Sequence, residues 1–325
     1  MAVSQIAASA SNADVPDNDY IAKHKPLPIR IGTHLRRYWQ LWLMALPAMV
    51  FVFIFAYIPM YGIHLPFREF VPRQGLPGRT FVGLKYFNKF FQSPQFANLM
   101  RNTISISLWT LVMGFICPII LALLINQLGS KKIKGFVQTI TYMPHFISTV
   151  VIVSMISIFL NPTSGFIGRF LNEDGKSILG DPNLFTPIYW ITEVWQHCGW
   201  NSIIYLAALA GVDTALYEAA KMDGASRLQL IRYVDIPAIL PTCGVLLILN
   251  MGSVLNVGFE KVFLMQNSLN LSSSEVISTF VYKMGFVSNQ YSYSTAIGLF
   301  NTLINFVFLV MANAISKRVS DTSIF

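Results

Sequence analysis

The chain has 325 residues, of which 54% are hydrophobic and 12% charged, with 25 phenylalanines and a formal charge of +8. A soluble domain carries about a quarter charged residues, so this composition excludes one and points to a polytopic membrane protein. Cys117, Cys198 and Cys243 all sit in apolar runs, where a disulfide framework is not expected.

Residues 1–37 are polar and contain prolines, with no signal-peptide pattern, and read as a cytoplasmic tail. The stretch HLRRYW (34–39) suits a lipid boundary, with basic residues snorkelling and Tyr38 and Trp39 at the headgroups. Six apolar runs follow: Trp39–Tyr61, Thr103–Leu128, Phe136–Leu160, Phe185–Ala210, Pro237–Val257 and Ser294–Ile315. Each is long enough to cross a bilayer, which takes about 20 residues of helix. Residues 38–325 therefore read as one all-α transmembrane domain, a bundle of about six helices whose backbone groups are satisfied internally.

Six spans put both termini on one side. Lysines and arginines are modestly enriched there, most firmly in GSKKIKG (129–135) and SKR (316–318), which makes that side the inner one. The first outer loop is also basic, with Arg68, Arg73, Arg79, Lys85 and Lys89, and is expected either to steer an anionic partner or simply to be solvated. The last outer loop, Gly258–Tyr293, carries NSLNLSSSE and NQYSY and is expected to meet a delivery protein or its cargo.

Between the fourth and fifth runs lies YEAAKMDGASRLQLIRYVDIP (217–237), a polar, helix-forming stretch. Asp213 or Thr214 caps a first helix, Asp223-Gly224 ends it, Ser226 starts a second short helix, and Pro237 marks entry to the fifth run. Residues 213–237 thus predict a bent pair of helices on the inner face. Ala219, Ala220 and Ala225 leave a low surface for close approach, and Glu218 and Asp223 offer acceptors to a basic partner. The simpler alternative is an amphipathic connector lying in the headgroups.

This string resembles the EAA loop of permease subunits of binding-protein-dependent ABC importers. Glu218, Ala219, Ala220, Asp223, Gly224, Ala225 and Pro237 match that pattern, with Ile231 where Phe is usual. From about residue 40 onward the chain also resembles the oligo- and polysaccharide subgroup, in YMPHFIST, VWQHCGWNSIIYLAAL and YSYSTAIGLFNTLINFVFLVMAN. The resemblance implies a type I ABC importer permease fold in the bacterial inner membrane. It implies a loop that docks on a cytosolic ATPase, and an acidic, alginate-like saccharide cargo. The implied partners are a second, different permease, two ATPase subunits, a periplasmic or surface solute-binding protein and membrane lipid, with no nucleic acid.

Nothing in the sequence supplies the motor. DGKS (174–177) ends like a phosphate loop, but the required first glycine would stand at Phe170. There is no zincin, C-x-x-C or nucleophile-elbow motif and no metal-ligand spacing, so no catalytic residue is assigned. ATP and Mg²⁺ are expected on the partner ATPase. A secondary transporter or channel acting alone would need no docking loop and would be expected to show repeats or broken spans. A membrane-embedded enzyme would need a paired acid and base.

Polar residues inside spans face a cavity or a partner helix. The fourth run carries Glu193, His197, Trp200, Asn201 and Tyr205 at spacings that place them on one side of a helix. The fifth adds Asn250, Ser253 and Asn256, and the sixth Asn301 and Asn305. The first two sets are candidates for the cargo path. The last pair reads rather as glue between helices. Glu193 would repel an acidic sugar unless paired, with His197 as the candidate partner.

Overall fold

The computed structural model describes residues 37–71, 80–171 and 177–320. Residues 1–36 of the expected tail, Arg73 and Arg79 of the basic loop, and Asp174–Lys176 of DGKS lie outside the described residues. Among the described residues every regular element is helical, apart from one antiparallel bridge between Arg68 and Phe81. The chain divides into two compact units at Gly62/Ile63.

In the first unit, α1 (Trp39–Val52) runs on through a π-helical turn, Phe53–Tyr57, and a last turn, Ile58–Met60. The wide turn directly precedes Pro59, whose ring needs room at the carbonyl four residues back. The helix buries none of its own residues and is apolar on every face. A helix of that kind belongs in lipid or against another protein.

The second unit opens with α2 (Lys85–Phe91) and α3 (Phe96–Asn126). At about 1.5 Å per residue, the 31 residues of α3 exceed the hydrocarbon thickness. One face of α3 buries Leu99, Ile106, Ala122 and Ile125, while Leu108, Val112, Ile116, Ile120 and Leu124 point outward at every fourth position. An outward apolar stripe is the reverse of a water-soluble helix.

The third run is not one straight helix. α4 (Lys131–Tyr142) continues in a 3₁₀ turn, Met143–Phe146, and the chain then bends by 96° into α5 (Thr149–Phe159). The 11 residues of α5 reach only about 16 Å, roughly half a bilayer core. The sequence MPHFIS explains the break: Pro144 removes an N–H, and Ser148 Oγ accepts from the Val151 N–H to start a new helix.

After α6 (Phe166–Leu171), α7 (Pro182–Ala210) starts on Asp181, whose side chain accepts from the Asn183 N–H. α7 packs along α3 and against α4, where a Cβ on Gly199 would collide with the Thr141 carbonyl. It reaches spanning hydropathy only together with α8 (Thr214–Met222), which lies beyond a 75° bend. Glu193, Gln196, His197 and Asn201 dilute its apolar content.

The second elbow helix and the fifth run are not separate elements. α9 (Arg227–Leu230), a π-helical turn Ile231–Asp235 and α10 (Ile236–Met251) form one continuous helix. The wide turn again sits just before the proline and absorbs it. The helix stops at Met251 rather than Val257, so Ser253 and Asn256 stand in the chain that follows it.

The last outer loop is folded rather than open. It contains α11 (Phe259–Met265), α12 (Leu271–Ser274) and α13 (Ile277–Tyr282), followed by α14 (Tyr291–Ser320). Two polar residues of NSLNLSSSE turn inward: buried Asn270 donates to the Leu179 and Met265 carbonyls and accepts from buried Ser274. Lys89 of the basic loop is also engaged, donating to Gln290 at 2.9 Å.

Two apolar clusters sit at opposite ends of the α3–α7 pair. One holds Ile106, Phe185, Tyr189, Val262 and Met265. The other holds Ala122, Leu123, Tyr205, Leu209 and Ile239. The polar cavity lies between them.

Candidate functional site

Two features carry polar chemistry: a cavity midway along the bundle and an elbow at one end of it. The cavity has a volume of about 310 Å³ and is lined from α3, α7 and the stretch 250–258. Of the residues expected on the cargo path, Glu193, His197, Asn201, Asn250, Ser253 and Asn256 line it. Trp200 and Tyr205 do not. Tyr205 is twelve residues past Glu193, about 120° around the helix at 3.6 residues per turn, and is buried in the apolar cluster with Leu123 and Ile239. Trp200 stacks on His145 at 4.5 Å, with the rings 4° from parallel.

Glu193 is paired, and its main partner is not the expected one. Oε2 accepts from Lys261 Nζ at 2.7 Å, while Oε1 lies 3.4 Å from His197 Nε2. Lys261 comes from α11, in the last outer loop, and its side chain is 4% exposed. It also lies 5.3 Å from the centre of the Tyr189 ring. On the far side, His197 Nδ1 meets His145 Nδ1 at 3.0 Å. With Nε2 turned toward Glu193, His197 can accept at Nδ1 from His145. Four side chains from three separate stretches thus form one charge-balanced wall.

Asn256 is held rather than free. Its Oδ1 accepts from both Asn301 and Asn305 at 3.1 Å, and Asn305 Oδ1 accepts from the Leu255 N–H at 2.9 Å. The α14 amides therefore satisfy the backbone where α10 ends, which is the glue role. The sequence reading missed Ser107 and Thr110 of α3. Both line the cavity, and their buried hydroxyls have no hydrogen-bond partner among the described residues. The signal was present as four hydroxyls in NTISISLWT, inside an apolar run.

The elbow is built from local rules. Asp213 Oδ1 accepts from the Ala215 N–H and starts α8. At its end, the Ala225 N–H bonds to the Ala220 carbonyl and the Gly224 N–H to the Lys221 carbonyl, the paired closure that places Gly224 at φ +77°. Ser226 then starts α9 in a reciprocal box with Gln229. Glu218, Ala219, Asp223 and Gly224 are exposed, Ala220 and Ala225 half-buried. Pro237 lies at the head of α10. Large apolar side chains surround the exposed set: Met222 is 88% and Leu228 76% exposed.

The inner side of the elbow is anchored. Buried Asp235 accepts from Tyr217 Oη at 2.6 Å, from Asn126 Nδ2 at 3.2 Å and from Gln127 Nε2 at 2.6 Å. Partial burial, together with the hydrogen bond to Asp235, pushes the Tyr217 hydroxyl up to about 12, so it stays a donor at any physiological pH.

Comparison with known proteins places this arrangement. The family described as binding-protein-dependent transport system inner membrane component matches residues 114–321. The polygalacturonan/rhamnogalacturonan transport system permease protein YteP of Bacillus subtilis is 37% identical over 318 residues, 97% of this chain and 99% of that protein. A crystal structure of a bacterial ABC transporter involved in import of the acidic polysaccharide alginate superposes with TM-score 0.81. It is 37% identical and covers 90% of this chain and 99% of the matched chain. A second structure shows the alginate transporter in complex with an alginate pentasaccharide-bound periplasmic protein. It matches at TM-score 0.81 and 37% identity, over 91% of this chain and 100% of that one.

Proposed function

The chain belongs to the inner membrane components of binding-protein-dependent transport systems, and from that premise we propose that it passes an acidic oligo- or polysaccharide through the cavity between α3, α7 and the end of α10. It is a membrane-spanning permease subunit of an ATP-driven sugar importer, not an enzyme. Its partners are a second permease, ATPase subunits and a solute-binding protein. Both termini face the cytoplasm, and ATP with Mg²⁺ is held by the ATPase partners.

The observation that carries the cargo assignment is the pairing of Glu193 with Lys261. An unpaired carboxylate on the cavity wall would oppose a polyuronate. Neutralised by a buried ammonium, it leaves a polar lining of amides, hydroxyls and His197. Asn201, Asn250, Ser107 and Thr110 can exchange hydrogen bonds with sugar hydroxyls. The related permease named for polygalacturonan and the alginate importer both handle acidic polymers, which supports the same reading.

The elbow supplies the drive. Its exposed Glu218–Gly224 face and the apolar residues beside it seat on a separate ATPase, and closure of that ATPase tilts α7 and α10. Nucleotide binding then shifts the bundle between an outward-open and an inward-open population, by as much as its affinity differs between the two.

The test is ATP hydrolysis by the reconstituted importer against matched neutral and acidic oligosaccharides on their binding protein. Stimulation by uronate oligomers, absent with neutral ones of the same length, is the expected result. Equal or stronger stimulation by neutral oligomers overturns the acidic assignment.

A further inference from the structure

We propose that Asp235 is the joint through which movement of the elbow enters the bundle, with Tyr217, Asn126 and Gln127 as its positioning partners. The proposal rests on the docking reading above and goes beyond it, because none of these four residues belongs to the exposed docking face.

The geometry singles out this carboxylate. Asp235 is fully buried, and both its oxygens are taken by neutral donors from two other elements. Tyr217 stands on α8, directly before Glu218, so whatever seats Glu218 displaces the Tyr217 hydroxyl. Asn126 and Gln127 are the last residue and the cap of α3, the long helix that lines the cavity higher up. Asp235 itself ends the π-helical turn that leads into α10, the helix whose far end supplies Asn250. One side chain therefore ties the elbow to two helices of the cavity wall.

Helix capping alone does not account for the arrangement. The C-terminal end of α3 carries the negative pole of the helix, where a cation or an amide is favoured and a carboxylate is not. A buried charge placed against that preference depends on all three donors and is sensitive to loss of any one. The π-helical turn is a second element able to change arrangement. Relaxation to α-helical spacing would rotate Asp235 by about 100° relative to the turn before it and break the set. A joint that is either fully made or broken transmits movement as a switch rather than as a gradual bend.

The test uses the complete purified importer in vesicles and needs no cargo. Ser253→Cys, in a background of Cys117→Ala, Cys198→Ala and Cys243→Ala, reports how fast an aqueous thiol reagent reaches the cavity with and without ATP plus vanadate. With Tyr217 intact, nucleotide changes the labelling rate. With Tyr217→Phe, the complex is expected to assemble and hydrolyse ATP as before, while the nucleotide-dependent change shrinks about tenfold, the scale of one hydrogen bond to a charged group. Tyr217→Phe combined with Asp235→Asn should lose no more than Asp235→Asn alone, because both break one joint. Should Asp235→Asn fail to assemble, Gln127→Ala takes its place in the cycle.

An unchanged labelling response in Tyr217→Phe overturns the joint. So do multiplicative losses in the double variant, or a loss that only tracks the amount of complex assembled. If the unaltered complex assembles with its ATPase but shows no response to nucleotide, the coupling reading fails and takes the joint with it. A normal response there with an indifferent Tyr217→Phe removes the joint alone.

Discussion

The tip of the elbow turns its acidic groups, Glu218 and Asp223, outward, whereas the cavity wall turns its polar groups inward. Glu218 and Asp223 are exposed and, among the described residues, take part in no ion pair within the chain. Glu193, by contrast, is bracketed by Lys261 and His197, and Asn256 by Asn301 and Asn305. A surface that leaves charges unmet beside exposed Met222 and Leu228 is what the proposed docking on a separate ATPase requires. A wall that cancels its own charge while keeping loose hydroxyls at Ser107 and Thr110 suits a passing ligand that must not be held.

This contrast can be broken by substitution, with effects that fall in a definite order. Lys261→Met should be the most damaging, since it leaves Glu193 on the cavity wall without its cation. Breaking a buried pair costs about 3–5 kcal/mol, and melting of the purified complex should fall accordingly. Adding Glu193→Gln should recover most of the loss, because the pair is then replaced rather than broken. Recovery of stability without recovery of uronate uptake would assign Lys261 a role in cargo handling as well.

Gly224→Val comes next. A Cβ there meets nothing within 4 Å, so the penalty is purely that of φ +77°, about 1–2 kcal/mol for an L-residue in the left-handed region. Uptake should fall while cargo binding to the isolated cavity stays unchanged. Asn305→Ala deprives the Leu255 N–H of its partner and should cost about 1 kcal/mol, read as faster hydrogen exchange at Leu255. Glu218→Ala has the smallest effect on stability, within about 0.5 kcal/mol as for an ordinary surface change. It should nonetheless lower uptake about tenfold through weaker docking. Stability and uptake falling together at Glu218 would erase the distinction between the two regions.

The same contrast governs what could be read from the sequence. The elbow was legible because its logic is contiguous: the cap at Asp213, the Gly224 closure and the Ser226 box all act within a few residues. The helical class and five of the six runs were legible from hydropathy, which needs no partner. The cavity was legible only as polar positions on α7 and near the end of α10, since i, i+4 spacing is local. Lys261 was not, because it reaches Glu193 across 68 positions and a chain bend. The 96° break after Phe146 was missed because Pro144 and Ser148 lie inside an unbroken apolar run, where hydropathy outvotes capping. The continuity of α9 into α10 was missed for the converse reason. Proline reads as a stop, and nothing local announces the π-helical turn that accommodates it. Tyr205 was misplaced by extending i, i+4 spacing over twelve residues, where its drift exceeds a quarter turn.

The most direct measurement is cross-linking from a photoreactive label on Met222→Cys in the purified importer, with the two permeases, ATPase and binding protein all present. The account predicts a covalent product with the ATPase subunit, strengthened or weakened by nucleotide. A label that reaches only phospholipid, or this chain's own helices, in a complex that still hydrolyses ATP would contradict it.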